Sequence, residues 1–106
     1  MKNKKDLAAV ENPPGIFRKT LEYTEDAMVC HFDMKKGAKV PLHNHHAAQL
    51  GYVINGRVRF ILENNAFFIA ESGCSYAFDR FEYHGAEVLE DSEVMECFSP
   101  AREEYK

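Results

Sequence analysis

Three histidines and one amide carry the residue types in this chain best suited to chemistry. His43 and His45 are separated by one residue, Gln49 follows four positions later, and His84 lies far downstream. Residues two apart on a strand point to the same face, so His43 and His45 can reach one point beside a sheet. Converging imidazole nitrogens are a common way to hold a divalent transition ion, and Gln49 adds a neutral oxygen donor. His84 joins them only if a barrel or sandwich folds it back. The expectation is one divalent transition metal ion (Ni, Zn, Fe or Mn) held by His43, His45, Gln49 and His84. His31 alternates away from the apolar residues around it and reads as an outward surface histidine; His46 reads as an exposed loop residue.

The elements that would position these side chains are short strands. Ile16 to Tyr23 is the first, followed by the polar Thr24-Glu25-Asp26 turn. In Ala27 to Met34, Met28, Cys30, Phe32 and Met34 share one face, with His31 and Asp33 on the other. Lys35-Lys36-Gly37 turns the chain into the strand carrying the histidine pair. Leu50 to Ile54 and Arg57 to Glu63 flank Asn55-Gly56, a two-residue hairpin signal. Asn64-Asn65 and Glu71-Ser72-Gly73 are further turns, around strands at 66–70 and 75–78. His84 to Leu89 and Glu93 to Phe98 are expected to pair across Glu90-Asp91-Ser92. That makes about nine short strands at roughly 8–12-residue spacing, the pattern of an all-β barrel or sandwich. Residues 1–15, ending in Pro13-Pro14-Gly15, read as a loosely held arm before a domain over 16–106.

Composition narrows the function classes. A chain of 106 residues with 45% hydrophobic and 28% charged residues has the make-up of one globular domain with a modest core. A formal charge of −4 argues against nucleic acid as the main partner. No apolar run approaches the roughly 20 residues of a membrane span, and the basic start leads into no signal-peptide core. Cys30, Cys74 and Cys97 are odd in number, lack CxxC spacing and sit in apolar runs, so they are expected to be buried free thiols in a reducing cytoplasm. Leu50, Tyr52 and Ile54 give their strand a second apolar face, opposite Gln49, Gly51 and Val53. That face is covered either by a loop over a two-sheet core or, as expected for so small a chain, by a second copy in a homodimer.

The motifs resemble a known superfamily. Gly37, five residues, His43-x-His45, three residues, Gln49, six residues and Gly56 resemble the first motif of the cupins. Gly73, five residues, Asp79-x-Phe81, two residues and His84 are similar to the second. Gln49 stands where most cupins have glutamate, and Asp79 and Phe81 stand where proline and glycine are usual. The resemblance implies a single cupin barrel, a double-stranded β-helix of jelly-roll type, with Asp79 as a turn residue. The ends narrow it further. Ile16-Phe17-Arg18-Lys19, the Lys36-Gly37-Ala38 turn and Phe98-Ser99-Pro100-Ala101-Arg102-Glu103-Glu104-Tyr105 resemble the small pectin-degradation cupins. Those proteins also use glutamine as fourth metal ligand. The resemblance implies linearisation of 4,5-unsaturated monouronates, released by pectate or alginate lyases, into open-chain keto-uronates.

Three neutral imidazoles and a neutral amide leave a divalent ion its full +2 charge, which suits a small anionic sugar acid. Period 2 places Val94, Glu96 and Phe98 on one face of the last strand. If that face is the interior, Glu96 suits proton transfer to or from the substrate's hydroxyl or enol carbon. Arg102, just past the strand, suits a bidentate pair with a carboxylate. In the resembling family an acid (usually aspartate), a phenylalanine and an arginine occupy these positions. Glu96 and Arg102 are therefore the expected catalytic residues, and Phe98 and Arg102 the expected substrate-binding ones. Other readings stay open. Glu96 is a rim carboxylate paired with Arg102, Arg102 is a surface residue of a mobile tail, and Phe98 is plain core packing. The chain as a whole is another metallo-cupin (dioxygenase or sugar or keto-acid isomerase) or a non-enzymatic sugar-binding one.

Overall fold

A computed structural model describes all residues, Met1–Lys106. It contains eight strands: β1 (Val10–Glu11), β2 (Ile16–Tyr23), β3 (Met28–Met34), β4 (Lys39–His43), β5 (Ala48–Ile61), β6 (Phe67–Glu71), β7 (Ser75–Phe78) and β8 (His84–Ser99). Three single 3₁₀ turns are the only helical segments. No helix is long and apolar enough to cross a membrane.

The architecture follows from two long strands. β5 and β8 run antiparallel from Ala48↔Ser99 to Ile61↔Gly85, with register shifts between Val53 and Val58. Beyond the shifts the pair acquires different neighbours. The first half of β5 and the second half of β8 are flanked by β7 on one side and by β3, β2 and β1 on the other. The second half of β5 and the first half of β8 are flanked by β6 and β4. One bent pair thus belongs to both layers of a double-stranded β-helix, and the core lies between the layers.

The bend corrects two sequence expectations. Asn55-Gly56 is not a hairpin, and Glu90-Asp91-Ser92 is not a turn between paired strands; each lies inside one continuous strand. Gly56 has φ +105°, and a Cβ there would lie 2.1 Å from Ser92 Oγ on the facing strand. The same residues that favour a two-residue turn also suit a bulged corner, where glycine admits close approach of the partner. Ser92 Oγ fastens the corner by accepting from the Arg57 amide at 2.9 Å and donating to the Glu90 carbonyl at 2.7 Å.

Alternation gives the rest. Met28, Cys30, Phe32 and Met34 of β3 and Val94 and Phe98 of β8 are buried between the layers. Fully burying side chains of this size stabilises by about 1.5–3 kcal/mol each. Two cysteine expectations are corrected: only Cys30 is buried, while Cys74 and Cys97 are exposed. Cys97 sits between the inward Glu96 and Phe98, so the strand period turns it out. His31 is corrected too. It lies on the outer face as its spacing requires, yet it is only 3% exposed. The N-terminal segment crosses that face, where Lys19 Nζ donates to the Lys4 carbonyl at 3.1 Å.

Candidate metal centre and catalytic pocket

The site residues come from different elements that the two layers bring together. His43 ends β4, His84 begins β8, and the two are register partners. His45 follows in the β4–β5 connection, and Gln49 enters from β5 in the opposite layer. The imidazole centroids lie 4.6–5.5 Å apart. His84 is stacked on Phe78, at 4.3 Å and 2°.

Each imidazole is oriented from behind. Nδ1 of His43, His45 and His84 faces the carbonyl oxygens of Pro41, Ala47 and Glu82 at 2.9, 2.7 and 2.9 Å. A neutral imidazole has one N–H, and these contacts place it on Nδ1, leaving the Nε2 lone pair to point inward. Burial, followed by the Arg102 charge, lowers the pKa of His45; burial also lowers that of His84, to about 4. Both rings are therefore neutral near pH 7.

Gln49 Oε1 lies 3.0 Å from His45 Nε2 and 3.1 Å from His84 Nε2. With Nδ1 protonated, these are contacts between acceptors, which repel unless a cation lies among them. Ligands at about 2.1 Å from one ion, at right angles, are about 3.0 Å apart. The four side chains thus fit a divalent ion: His43, His45 and His84 could give nitrogen and Gln49 oxygen. His46, by contrast, is exposed and packs beside Phe81 at 5.4 Å between centroids.

Behind Gln49 stands Glu96. Gln49 Nε2 donates to Glu96 Oε2 at 2.6 Å, and Tyr76 Oη donates to the same oxygen at 2.6 Å. Glu96 is 5% exposed, and Arg102 pairs with Glu104 at 2.8 Å. The reading of Glu96 as a rim carboxylate paired with Arg102 does not match this geometry. Burial raises the pKa of Glu96, and the hydrogen bonds from Tyr76 and Gln49 oppose that rise. The Tyr76 hydroxyl is pushed well above its usual value by burial and by Glu96.

Tyr76 is the residue that sequence reasoning missed. Glu96, Gly51 and Tyr76 stand in one row across β8, β5 and β7. A Cβ at Gly51 would lie 2.0 Å from the Tyr76 ring, so the missing side chain lets the phenol reach across to the carboxylate. A glycine in a strand otherwise lined by large residues was the available signal.

Arg102 and Phe98 lie on the same cavity as His43, Gln49, His84 and Glu96. The Arg102 guanidinium stacks 4.1 Å from the Tyr105 ring centroid and 5.2 Å from that of Phe98. Phe98 is only 1% exposed and meets His45 edge-on at 6.0 Å. The tail holding Arg102 is fastened: Thr20 donates to the Tyr105 carbonyl, and Lys106 pairs with Glu25 at 3.1 Å. Asp79 is an exposed turn residue whose amide donates to Glu82 Oε1 at 2.8 Å. Phe81 adopts φ +62°, a left-handed conformation that explains why glycine is usual there. Its amide donates to the His45 carbonyl at 2.8 Å, and its carbonyl accepts from Asn44 at 3.0 Å.

Comparison with known proteins agrees with this architecture. The Cupin domain family model matches residues 30–99. The pectin degradation protein KdgF of Dickeya dadantii (strain 3937) is 31% identical over 93 residues, covering 86% of this chain and 84% of its own length. The structure of KdgF from Halomonas sp. superposes with a TM-score of 0.90 at 30% identity, covering 98% of this chain and 97% of that one. An RmlC-like cupin from Shewanella frigidimarina NCIMB 400 superposes at 0.92 with 23% identity over 100% of this chain and 95% of its own, a likeness of fold. Motif spacing, barrel and relatives converge: the chain belongs to the cupin superfamily and is akin to the pectin degradation protein KdgF.

Proposed function

We propose that this cupin is a metal-dependent enzyme that converts 4,5-unsaturated monouronates into linear keto-uronates. The observation that carries the reading is the pairing of two groups in one cavity. Ring nitrogens of His43, His45 and His84, within 4.8 Å of one another, and Gln49 Oε1 converge beside a buried carboxylate held by Gln49 and Tyr76. One relative is named for pectin degradation and a second carries the same name, KdgF, which supports the substrate class.

His43, His45, Gln49 and His84 would hold the ion. When bound, it supplies Lewis-acid polarisation of a substrate oxygen and attracts an anionic sugar acid. Ring opening releases one proton from the anomeric hydroxyl, and forming the ketone delivers one to the enol carbon. Glu96 can take the first and return the second, since burial raises its pKa above that of an ordinary carboxylate. Tyr76 and Gln49 fix the carboxylate oxygen that they share, leaving the other free to face the cavity. Arg102 orients the substrate carboxylate, with Phe98 and Tyr105 holding the guanidinium plane.

Assembly belongs to the same proposal. Leu50, Tyr52 and Ile54 are 58%, 47% and 37% exposed on one face of β5. A second copy of the chain covering this face makes a homodimer.

The decisive experiment mixes the protein with lyase-generated unsaturated galacturonate and follows loss of C4=C5 absorbance, alongside metal analysis. Acceleration in wild type, with loss of both metal and activity in His45→Ala, is expected. No acceleration with Ni, Zn, Fe or Mn would remove the enzymatic reading in favour of sugar binding alone.

A further inference from the structure

A second set of ligating side chains lies on the outer side of the barrel. His31 and Asp33 are two apart on β3, and Glu93 of β8 is the register partner of Asp33. All three therefore project from one face. One ring nitrogen of His31 and one oxygen of each carboxylate lie within 4.8 Å of one another. His31 Nε2 is 3.4 Å from Glu93 Oε2, and His31 Nδ1 is 4.0 Å from Asp33 Oδ2.

His31 makes the cluster unusual. Its side chain is only 4% exposed, and Nε2 has no hydrogen-bond partner. A buried polar atom left unsatisfied loses its hydration without compensation, so such atoms are rare and call for an explanation. The nearby cations do not satisfy it. Lys4 Nζ stands 4.0 Å from Glu93 Oε2, and Lys19 Nζ is occupied by the Lys4 carbonyl.

We propose that His31, Asp33 and Glu93 form a divalent-cation site of Zn²⁺ type, separate from the ring of histidines inside the barrel. Nitrogen and oxygen ligands at about 2.1 Å from one tetrahedral ion are about 3.4 Å apart, which matches the His31–Glu93 separation. Asp33 faces the other ring nitrogen, Nδ1, so its side chain, 55% exposed, would turn toward Nε2 to complete the ligand set. One imidazole with two carboxylates favours Zn²⁺ over the all-oxygen Mg²⁺ and Ca²⁺. Three protein ligands leave a fourth position for water. The ion also competes with Lys4 for Glu93, which loosens the hold of the N-terminal segment on this face.

The test is Zn²⁺ uptake by the full chain, measured by equilibrium dialysis, for wild type, Asp33→Asn and Glu93→Gln. Both substitutions remove a charged ligand at positions that are not core, and His31→Gln is a further variant. The expected result is one equivalent of Zn²⁺ fewer in each carboxylate variant than in wild type, with unchanged circular dichroism. The same one-equivalent difference is expected when the comparison is repeated in a His43→Ala background, which separates this site from the interior one. If Asp33→Asn and Glu93→Gln bind as much Zn²⁺ as wild type, the cluster is an ion-pair network only and the proposal is overturned.

Discussion

Gln49→Glu tests the proposed division of labour most sharply, because Gln49 faces two groups at once. Its Oε1 points at the imidazoles and its Nε2 donates to Glu96 Oε2 at 2.6 Å. The substitution keeps the oxygen toward the rings but turns the donor into a second carboxylate oxygen against Glu96. Two unit charges about 4 Å apart repel by about 4 kcal/mol at an effective dielectric near 20. That is roughly a thousandfold bias against double ionisation, so at neutral pH the pair shares a proton. An ion held by residue 49 draws the negative charge there and leaves the proton on Glu96. Glu96 then ceases to be a free proton acceptor. Turnover of unsaturated uronate should fall by about 10²–10³-fold at neutral pH, the scale of a positioned acid–base group, and recover in part as pH rises. Metal content should be equal to or above that of wild type. The assay is a pH–rate profile by loss of C4=C5 absorbance, with metal analysis of the same samples. A metal-loaded variant whose profile superposes on wild type would refute both the role of Glu96 and the importance of its bond to Gln49.

Three other perturbations follow from the same geometry. Tyr76→Phe removes one of two donors to a buried carboxylate, a bond worth about 1.5–3 kcal/mol, so kcat should fall about 10–100-fold with metal content unchanged; full activity would show that Tyr76 only packs. Arg102→Lys loses the planar fork and should raise KM by tenfold or more with a smaller change in kcat, read by steady-state kinetics. Burial lowers the pKa of His84 to about 4, from an ordinary 6.5, so this ring favours the folded metal-free protein above pH 6.5 and withdraws that support as pH falls toward 4. Urea unfolding of chelated wild type against His84→Gln should show a stability difference that shrinks by up to about 3 kcal/mol over that window, whereas a pH-independent difference would contradict it.

How much of this was legible in the sequence depends on whether the signal was local. Alternation puts a strand at Ala27 to Met34, observed at Met28–Met34, because half-buried strands write their faces into the period of the chain, and turn signals bound the strands at Ile16–Tyr23 and Ser75–Phe78. The motif spacing also brought His43, His45, Gln49 and His84 together. The corner was misread because Asn55-Gly56 carries the same local chemistry in a hairpin and in a bulge, and only the facing Ser92 decides between them. The period of β3 puts His31 on its correct outer face but not in its buried environment, since its cover comes from a segment distant in sequence. Tyr76 was missed because nothing near it distinguishes a packed phenol from one aimed at Glu96; that information lies in Gly51 on the neighbouring strand.

The choice of an amide at position 49 follows from its two neighbours. Toward His45 and His84 the side chain must present an oxygen, and toward a buried carboxylate it must present a donor. Glutamate meets the first need and fails the second while ionised; glutamine meets both. The acid at position 96 and the amide at position 49 therefore form one unit, and substituting either should alter the other's protonation or orientation. This also accounts for the reach of Glu96, whose Oε2 lies 2.6 Å from both Gln49 and Tyr76. A Glu96→Asp variant would withdraw the carboxylate from both donors by about one methylene. If the unit is what sets catalysis, that variant should lose activity with its metal intact, and Gln49→Glu combined with Glu96→Gln should recover the hydrogen bond without recovering turnover. Recovery of turnover in the double variant would mean that the acid can work from either position, which the geometry around the imidazoles argues against.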